Sequence, residues 1–235
     1  MNTEKKIILG AIIADGTSLR MRTVDDRPER SIDKCFLLLD DKPLIEHVIS
    51  RSQPQIDTLI INSSSNDPLL TSYQLPIIPD ASFENTAAES VSPTHSFTKK
   101  MGPLAGVASA MQWAQKQNQT EGENYQWLAT FPCDTPFLPL NLVDLLIEKV
   151  KKQNATMACG VSDERTSQLC SIWSLELLPD LLNFLAQGGR KVKVFLESTN
   201  YVTVNFETDN QFDIDPFYNI NTRKQLEEAN NLYSK

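Results

Sequence analysis

Three aspartates each follow a short apolar run: Asp15 after residues 7–14, Asp80 after residues 75–78 and Asp134 after residues 125–131. Gly16 and Arg20 lie close to the first of them along the chain, and Lys34 follows further on. Carboxylates grouped with lysine and arginine suit a Mg²⁺–nucleoside triphosphate, because Mg²⁺ takes oxygen ligands and bridges phosphates. Taken alone, each acid reads as a turn or helix-cap residue. Only their meeting in space would make a site.

The elements that would have to position them can be traced along the chain. Residues 7–14 are continuously apolar and rich in β-branched side chains, as expected for a parallel strand covered on both faces. Lys42-Pro43 opens a helix with Leu44, Ile45, Val48 and Ile49 at helical spacing, and residues 57–62 form a second buried strand stopped by residues 63–68. Residues 75–78 give a short third strand ending at Pro79-Asp80. Residues 81–100 have little periodicity and read as a long mobile loop, of a length that in compact domains is usually functional or disordered.

Pro103 suits the first turn of a helix, with Leu104, Val107, Ala108 and Met111 as its apolar face and residues 115–124 as a polar exit. A strand over 125–131, a helix over 140–151 and a strand over 156–161 follow. The next strand, 168–173, should be antiparallel because no crossover helix precedes it. Helices over 175–185 and 191–197, a strand over 201–206 and a terminal helix capped by Asn221-Thr222 complete the reading. The β-α-β-α order predicts an α/β fold: a single domain over 1–235 with one doubly wound, mostly parallel, Rossmann-like sheet and an antiparallel extension. Ligands of such sheets sit at the carboxyl ends of the strands, and with strands one, three and four as neighbours the three aspartates would share one crevice.

Composition narrows the function classes. The 235 residues carry 22 basic and 30 acidic side chains, a formal charge of −8. That balance argues against a nucleic-acid or anionic-membrane binder. Cys35, Cys133, Cys159 and Cys170 form no CxxC and no metal-like spacing with His47 or His95, so free thiols are expected. The apolar run 7–14 is short for a secretory core and lacks a cleavage site after it, and no run approaches the ~20 apolar residues of a membrane span. A cytoplasmic protein is expected.

In order along the chain stand Ile13-Ala14-Asp15-Gly16-Thr17-Ser18-Leu19-Arg20-Met21-Arg22, Asp33-Lys34, Lys42-Pro43-Leu44, Gly102-Pro103-Leu104-Ala105-Gly106, Pro132-Cys133-Asp134-Thr135-Pro136 and Asn219-Ile220-Asn221-Thr222. Together they resemble the molybdenum cofactor guanylyltransferases, of the MobA-like nucleotidyltransferase type, over nearly the whole chain. The resemblance implies transfer of GMP from GTP to the molybdenum cofactor, with Mg²⁺ and release of pyrophosphate. By the family's pattern Asp134 holds the metal, Lys34 and Arg20 hold phosphates, and Ala14, Asp15, Gly16, Thr17 and Ser18 lie along the nucleotide. Asp80 matches a nucleotide-site acid, and Asn219 and Asn221 match residues on the acceptor side. Arg190, Lys191 and Lys193 match a short basic helix near the cofactor, or form a solvated face. Molybdoenzymes or their chaperones are the partners that such an activity implies.

Three departures fall in the first loop: Asp15 replaces a glycine, Arg22 replaces another, and residues 23–32 lengthen the loop before Lys34. A carboxylate ~5 Å from one phosphate charge, at an effective dielectric of ~20, is opposed by roughly 3 kcal/mol, near a hundredfold in affinity. Arg22, Arg27 and Arg30 could offset it, although Asp25, Asp26 and Glu29 stand among them. Two other functions remain open: a non-catalytic relative that binds the molybdenum cofactor or a partner enzyme, and a same-fold transferase using CTP or a sugar-phosphate acceptor. Retention of both Lys34 and Asp134 favours catalysis, since a binding module needs no metal acid.

Overall fold

The computed structural model describes residues 8–14, 34–65, 67–80, 102–162, 166–208 and 214–233. Asp15, Gly16, Thr17, Ser18 and Arg20, the insert 23–32 and the loop 81–100 lie outside the described residues. Strand β1 (Ile8–Ile13) is buried along its whole length. Its side chains alternate between two cores: Ile8 and Ile12 enter one, Leu9, Ala11 and Ile13 the other. Period-2 alternation with both faces apolar is what makes a continuous hydrophobic run a central strand.

A hairpin of β2 (Leu38–Leu39) and β3 (Lys42–Pro43) leads into α1 (Leu44–Ser52). Asp40 and Asp41, at φ 48° and 60°, make its two-residue turn, a left-handed pair that short polar side chains tolerate. Next come β4 (Thr58–Asn62), α2 (Pro68–Ser72) and β5 (Ile77–Ile78). Helix α3 (Pro103–Thr120) starts after Gly102, whose φ of 76° favours glycine. The helix runs on through Gln115 to Thr120, where a polar exit was expected.

Strand β6 (Trp127–Pro132), α4 (Leu142–Gln153), β7 (Met157–Val161) and β8 (Thr166–Ser174) follow. Then come α5 (Leu178–Ala186), α6 (Val192–Glu197), β9 (Tyr201–Asn205) and α7 (Arg223–Tyr233).

The sheet order is β5-β4-β1-β6-β8-β7-β9. Only β8 runs antiparallel, paired with β6 on one side and β7 on the other. The extension therefore places its antiparallel strand inside the sheet and returns to parallel at β9. Strands one and four are neighbours as expected. Strand three is not: β4 stands between β5 and β1. The cause is the pairing of Gly10 to Ile13 with Leu59 to Asn62, which leaves β5 only an edge of two residues.

Helices α1 and α4 cover one face, with Ile45, Val48, Leu142 and Leu146 in the core beneath them. Helices α3, α5 and α6 cover the other, through Val107, Met111, Leu181 and Phe195. A third, smaller cluster joins Leu39 of the hairpin to Phe137, Ile214, Ile220 and Ala229 of α7. It matters for the site, because it docks the segment carrying Asn219 and Asn221 beside the one carrying Lys34. None of the four cysteines is in a disulfide, and all four are buried. Burial pushes the Cys159 thiol up to about 11 and raises that of Cys170 further.

Candidate functional site

The carboxyl ends of β4, β1 and β6 finish in register, at Asn62, Ile13 and Pro132. Two backbone bonds carry the ladders one step further: Ala14 N donates to Asn62 O (3.0 Å), and Cys133 N to Ile13 O (3.3 Å). The turn after β6 closes when Thr135 N donates to Pro132 O (3.4 Å). Cys133 and Phe137 are buried on either side of it. Asp134 is thus held at the strand end by its anchored neighbours, with its side chain 15% exposed.

Lys34 arrives from a tight helical turn over Lys34–Phe36, pinned by the fully buried Cys35. Its ammonium forms an ion pair with Asp134 Oδ2 and donates to Asn221 Oδ1 at 2.5 Å. These partners lie 100 and 187 positions away along the chain, so the cluster is made by the tertiary fold. The strap containing Asn219 and Asn221 is fastened from both ends. Asp215 accepts from Ser162 Oγ (2.8 Å) and from Phe217 N (2.7 Å), and Ile220 N donates to Asp134 O (3.0 Å). Downstream, Gln225 Oε1 accepts from Asn221 N (2.8 Å), while Gln225 N donates to Thr222 Oγ1 (3.2 Å). That is a capping box shifted by one residue. The Asn219 amide faces acceptors, so its nitrogen is the atom toward Asp134, donating to both carboxylate oxygens at 2.7 and 2.6 Å.

A second corner lies around Asn62. Its amide nitrogen donates to Ile78 O (3.2 Å) and Asp80 Oδ1 (3.1 Å), which settles the amide's orientation because both partners are acceptors. Its oxygen is buried and has no hydrogen-bond partner among the described residues. That oxygen faces the first turns of α3, where a Cβ on Gly106 would lie 2.1 Å from it. Only glycine at 106 lets α3 approach β4 this closely. The second glycine of Gly102-Pro103-Leu104-Ala105-Gly106 thereby has a steric reason.

Lys34, Asp134, Asn219 and Asn221 therefore come together, and Ala14 stands beside them at the end of β1. Asp80 reaches the same end of the sheet but three strands from β6, roughly 14 Å at ~4.8 Å per strand. The expected neighbour relation of strands three and four is therefore corrected: Asp80 and Asp134 mark two separate corners of one sheet end, and Asp15 lies outside the described residues. Asn62, Gln225 and Asp215 were not singled out from the sequence. For Gln225 the Thr-x-x-Gln spacing was a readable signal; for Asn62 nothing local was.

The basic trio divides. Arg190 turns back onto α5, donating to Leu185 O (2.7 Å) and Gly189 O (2.6 Å), a favourable placement of a cation at a helix C-terminus. Lys191 is exposed and precedes α6, and only Lys193 is within it, facing Glu197 at 3.9 Å. Of the two readings left open for the trio, a helix could include only Lys193, since Arg190 and Lys191 precede α6.

The model of the MobA-like NTP transferase domain matches residues 10–202. A molybdenum cofactor guanylyltransferase of Yersinia pestis is 31% identical over 215 residues, covering 92% of this chain and 91% of the relative. The chain belongs to the MobA-like NTP transferase family. It is accordingly a nucleotidyltransferase.

Solved structures agree on the fold. The molybdopterin-guanine dinucleotide biosynthesis protein A of Archaeoglobus fulgidus superposes with a TM-score of 0.65 at 20% identity, over 96% of this chain and 98% of that one. The 4-diphosphocytidyl-2C-methyl-D-erythritol synthase of Anaerococcus prevotii gives 0.63 at 11% identity, over 98% and 97%. No helix among the described residues is long and apolar enough to cross a membrane.

Among the described residues no three acidic, histidine or cysteine side chains cluster as a metal cage. The cluster offers one carboxylate, Asp134, and an amide oxygen, Asn221 Oδ1, both in contact with Lys34, and oxygen donors of this kind fit Mg²⁺. This ion is commonly held by one or two carboxylates and completed by substrate phosphates and water.

Proposed function

We propose that the chain transfers GMP from GTP to the molybdenum cofactor. The observation that carries this reading is the meeting of Lys34 with Asp134 at the shared carboxyl ends of β1 and β6, braced by Asn219 and Asn221. The name carried by the Yersinia relative supports the choice of nucleotide and acceptor. A terminal phosphate oxygen of the cofactor attacks the α-phosphorus of GTP, the bond to the bridging oxygen of the β-phosphate breaks, and pyrophosphate leaves.

In this reading Lys34 and Arg20 hold phosphates and offset their charge as it moves toward the leaving group. Asp134 is the residue that would hold Mg²⁺, which when bound supplies a Lewis acid and a template for the phosphates. Ala14 through Ser18 follow the nucleotide. Asp80 serves its base or ribose end, as its distance from Asp134 requires. Asn219 and Asn221 orient the acceptor from the opposite flank; Arg190 and Lys191, which precede α6 near Gly102 at the start of α3, are further candidates for holding it. Positioning accounts for most of such a displacement, since the protein supplies no covalent chemistry. The four thiols, none of them in a disulfide, are in keeping with a cytoplasmic setting.

The test is a turnover assay offering ATP, CTP, GTP and UTP separately with Mg²⁺ and the molybdenum cofactor, read as pyrophosphate release. GTP alone should support turnover. Preference for CTP, the nucleotide class of the cytidylyl fold neighbour, would redirect the assignment, and no turnover with any of the four would remove it.

A further inference from the structure

Lys34 is 6% exposed and its ammonium has two partners, Asp134 Oδ2 and Asn221 Oδ1. The other face of the Asp134 carboxylate is met by the Asn219 amide, and Thr135 Oγ1 approaches Oδ1 at 3.4 Å. The carboxylate's single negative charge is therefore already matched by a full positive charge in contact with it. A dication approaching the same oxygens meets an ammonium that cannot leave without losing both of its partners. Repulsion between the two cations is strong at that range and little screened in a partly buried site. A metal carried on a triphosphate is a different ligand, because its phosphates give the ammonium a new anionic partner.

We infer that Lys34 determines the form in which a divalent cation is accepted: it shuts Asp134 to the free ion and yields to the ion bound on a nucleoside triphosphate. Asn221 is the residue that holds the ammonium in the excluding position. The identity of the nucleotide rests on the guanylyl-transfer reading; the exclusion of the free ion does not. The order of binding follows directly. Nucleotide and metal enter together, and metal does not precede nucleotide.

The experiment is a titration of Mn²⁺ alone, followed by the electron paramagnetic resonance of the free ion. It uses the full-length protein and its Lys34→Met, Lys34→Gln and Lys34→Met/Asp134→Asn variants, each checked by circular dichroism. Either Lys34 substitution should tighten nucleotide-free Mn²⁺ binding by about tenfold or more, as expected when a neighbouring like charge is removed. The added Asp134→Asn substitution should abolish the gain. Wild-type protein should take up Mn²⁺ at Asp134 only when GTP is present. Wild-type binding of nucleotide-free Mn²⁺ as tight as that of the Lys34 variants would overturn the inference, and so would a gain that survives loss of the carboxylate. If GTP fails to recruit Mn²⁺ while the nucleotide-free gain appears, the guanylyl reading falls and the exclusion stands.

Discussion

At the Asp134 corner charge does the fitting. An ammonium, a carboxylate and two amides from three distant segments of chain neutralise one another. At the Asn62 corner shape does it: the amide is wedged between Asp80 and the bare Cα of Gly106, and its oxygen is buried without a hydrogen-bond partner among the described residues. In the proposed reaction the first arrangement exchanges partners, phosphates replacing the carboxylate on Lys34 and a metal replacing the ammonium on Asp134. The second cannot be exchanged without moving α3. One fold thus holds a rigid corner and an adaptable one at the same end of the sheet, with β1 between them.

The largest effect that separates the corners is on catalysis. Asp134→Asn should lower GMP transfer roughly 10²–10³-fold, the scale for loss of one preorganised electrostatic group, while the melting profile keeps a single cooperative transition. Steady-state pyrophosphate release together with calorimetry checks it. A comparable fall in transfer from a change confined to the Asn62 corner, without loss of stability, would break the distinction. Next in size, Gly106→Ala should cost about 1–3 kcal/mol of stability by overpacking, read from urea denaturation. Adding Asn62→Ala should return part of that loss, because it removes the side chain that a new Cβ would strike. Smallest, Gln225→Ala should cost about 1 kcal/mol or less, the worth of a hydrogen bond. It should raise the Michaelis constant for the acceptor more than that for GTP, since Gln225 holds the backbone of Asn221.

Much of this architecture was legible before any coordinates. The unbroken apolar run of β1 and the missing crossover ahead of β8 each state their role in local chemistry, and the Pro-Cys-Asp-Thr-Pro turn stands out through the family resemblance. The hairpin over residues 38–43 was missed because two-residue strands have no periodicity to read. Its signal was the Asp40-Asp41 pair, here at positive φ. Helix α2 was taken as a stop, although Asp67 caps it, accepting from Leu69 N, and Pro68 begins it. Strand order was out of reach, because which strand lies beside β1 depends on packing across the whole sheet. For the same reason Asp80 was brought too close to Asp134. Asn62 shows the limit most plainly: an asparagine ending an apolar strand looks like a strand stop until Gly106 and Asp80 are seen against it.

The central claim is that Lys34 and Asp134 act as one unit on a single metal-bound triphosphate. A double-mutant cycle on GMP transfer tests it, using Lys34→Met, Asp134→Asn and the pair together. The account predicts that the double variant is about as slow as the slower single variant, a coupling of roughly 2 kcal/mol or more. Losses that simply multiply would contradict it, for they would mean that the two residues serve different parts of the reaction.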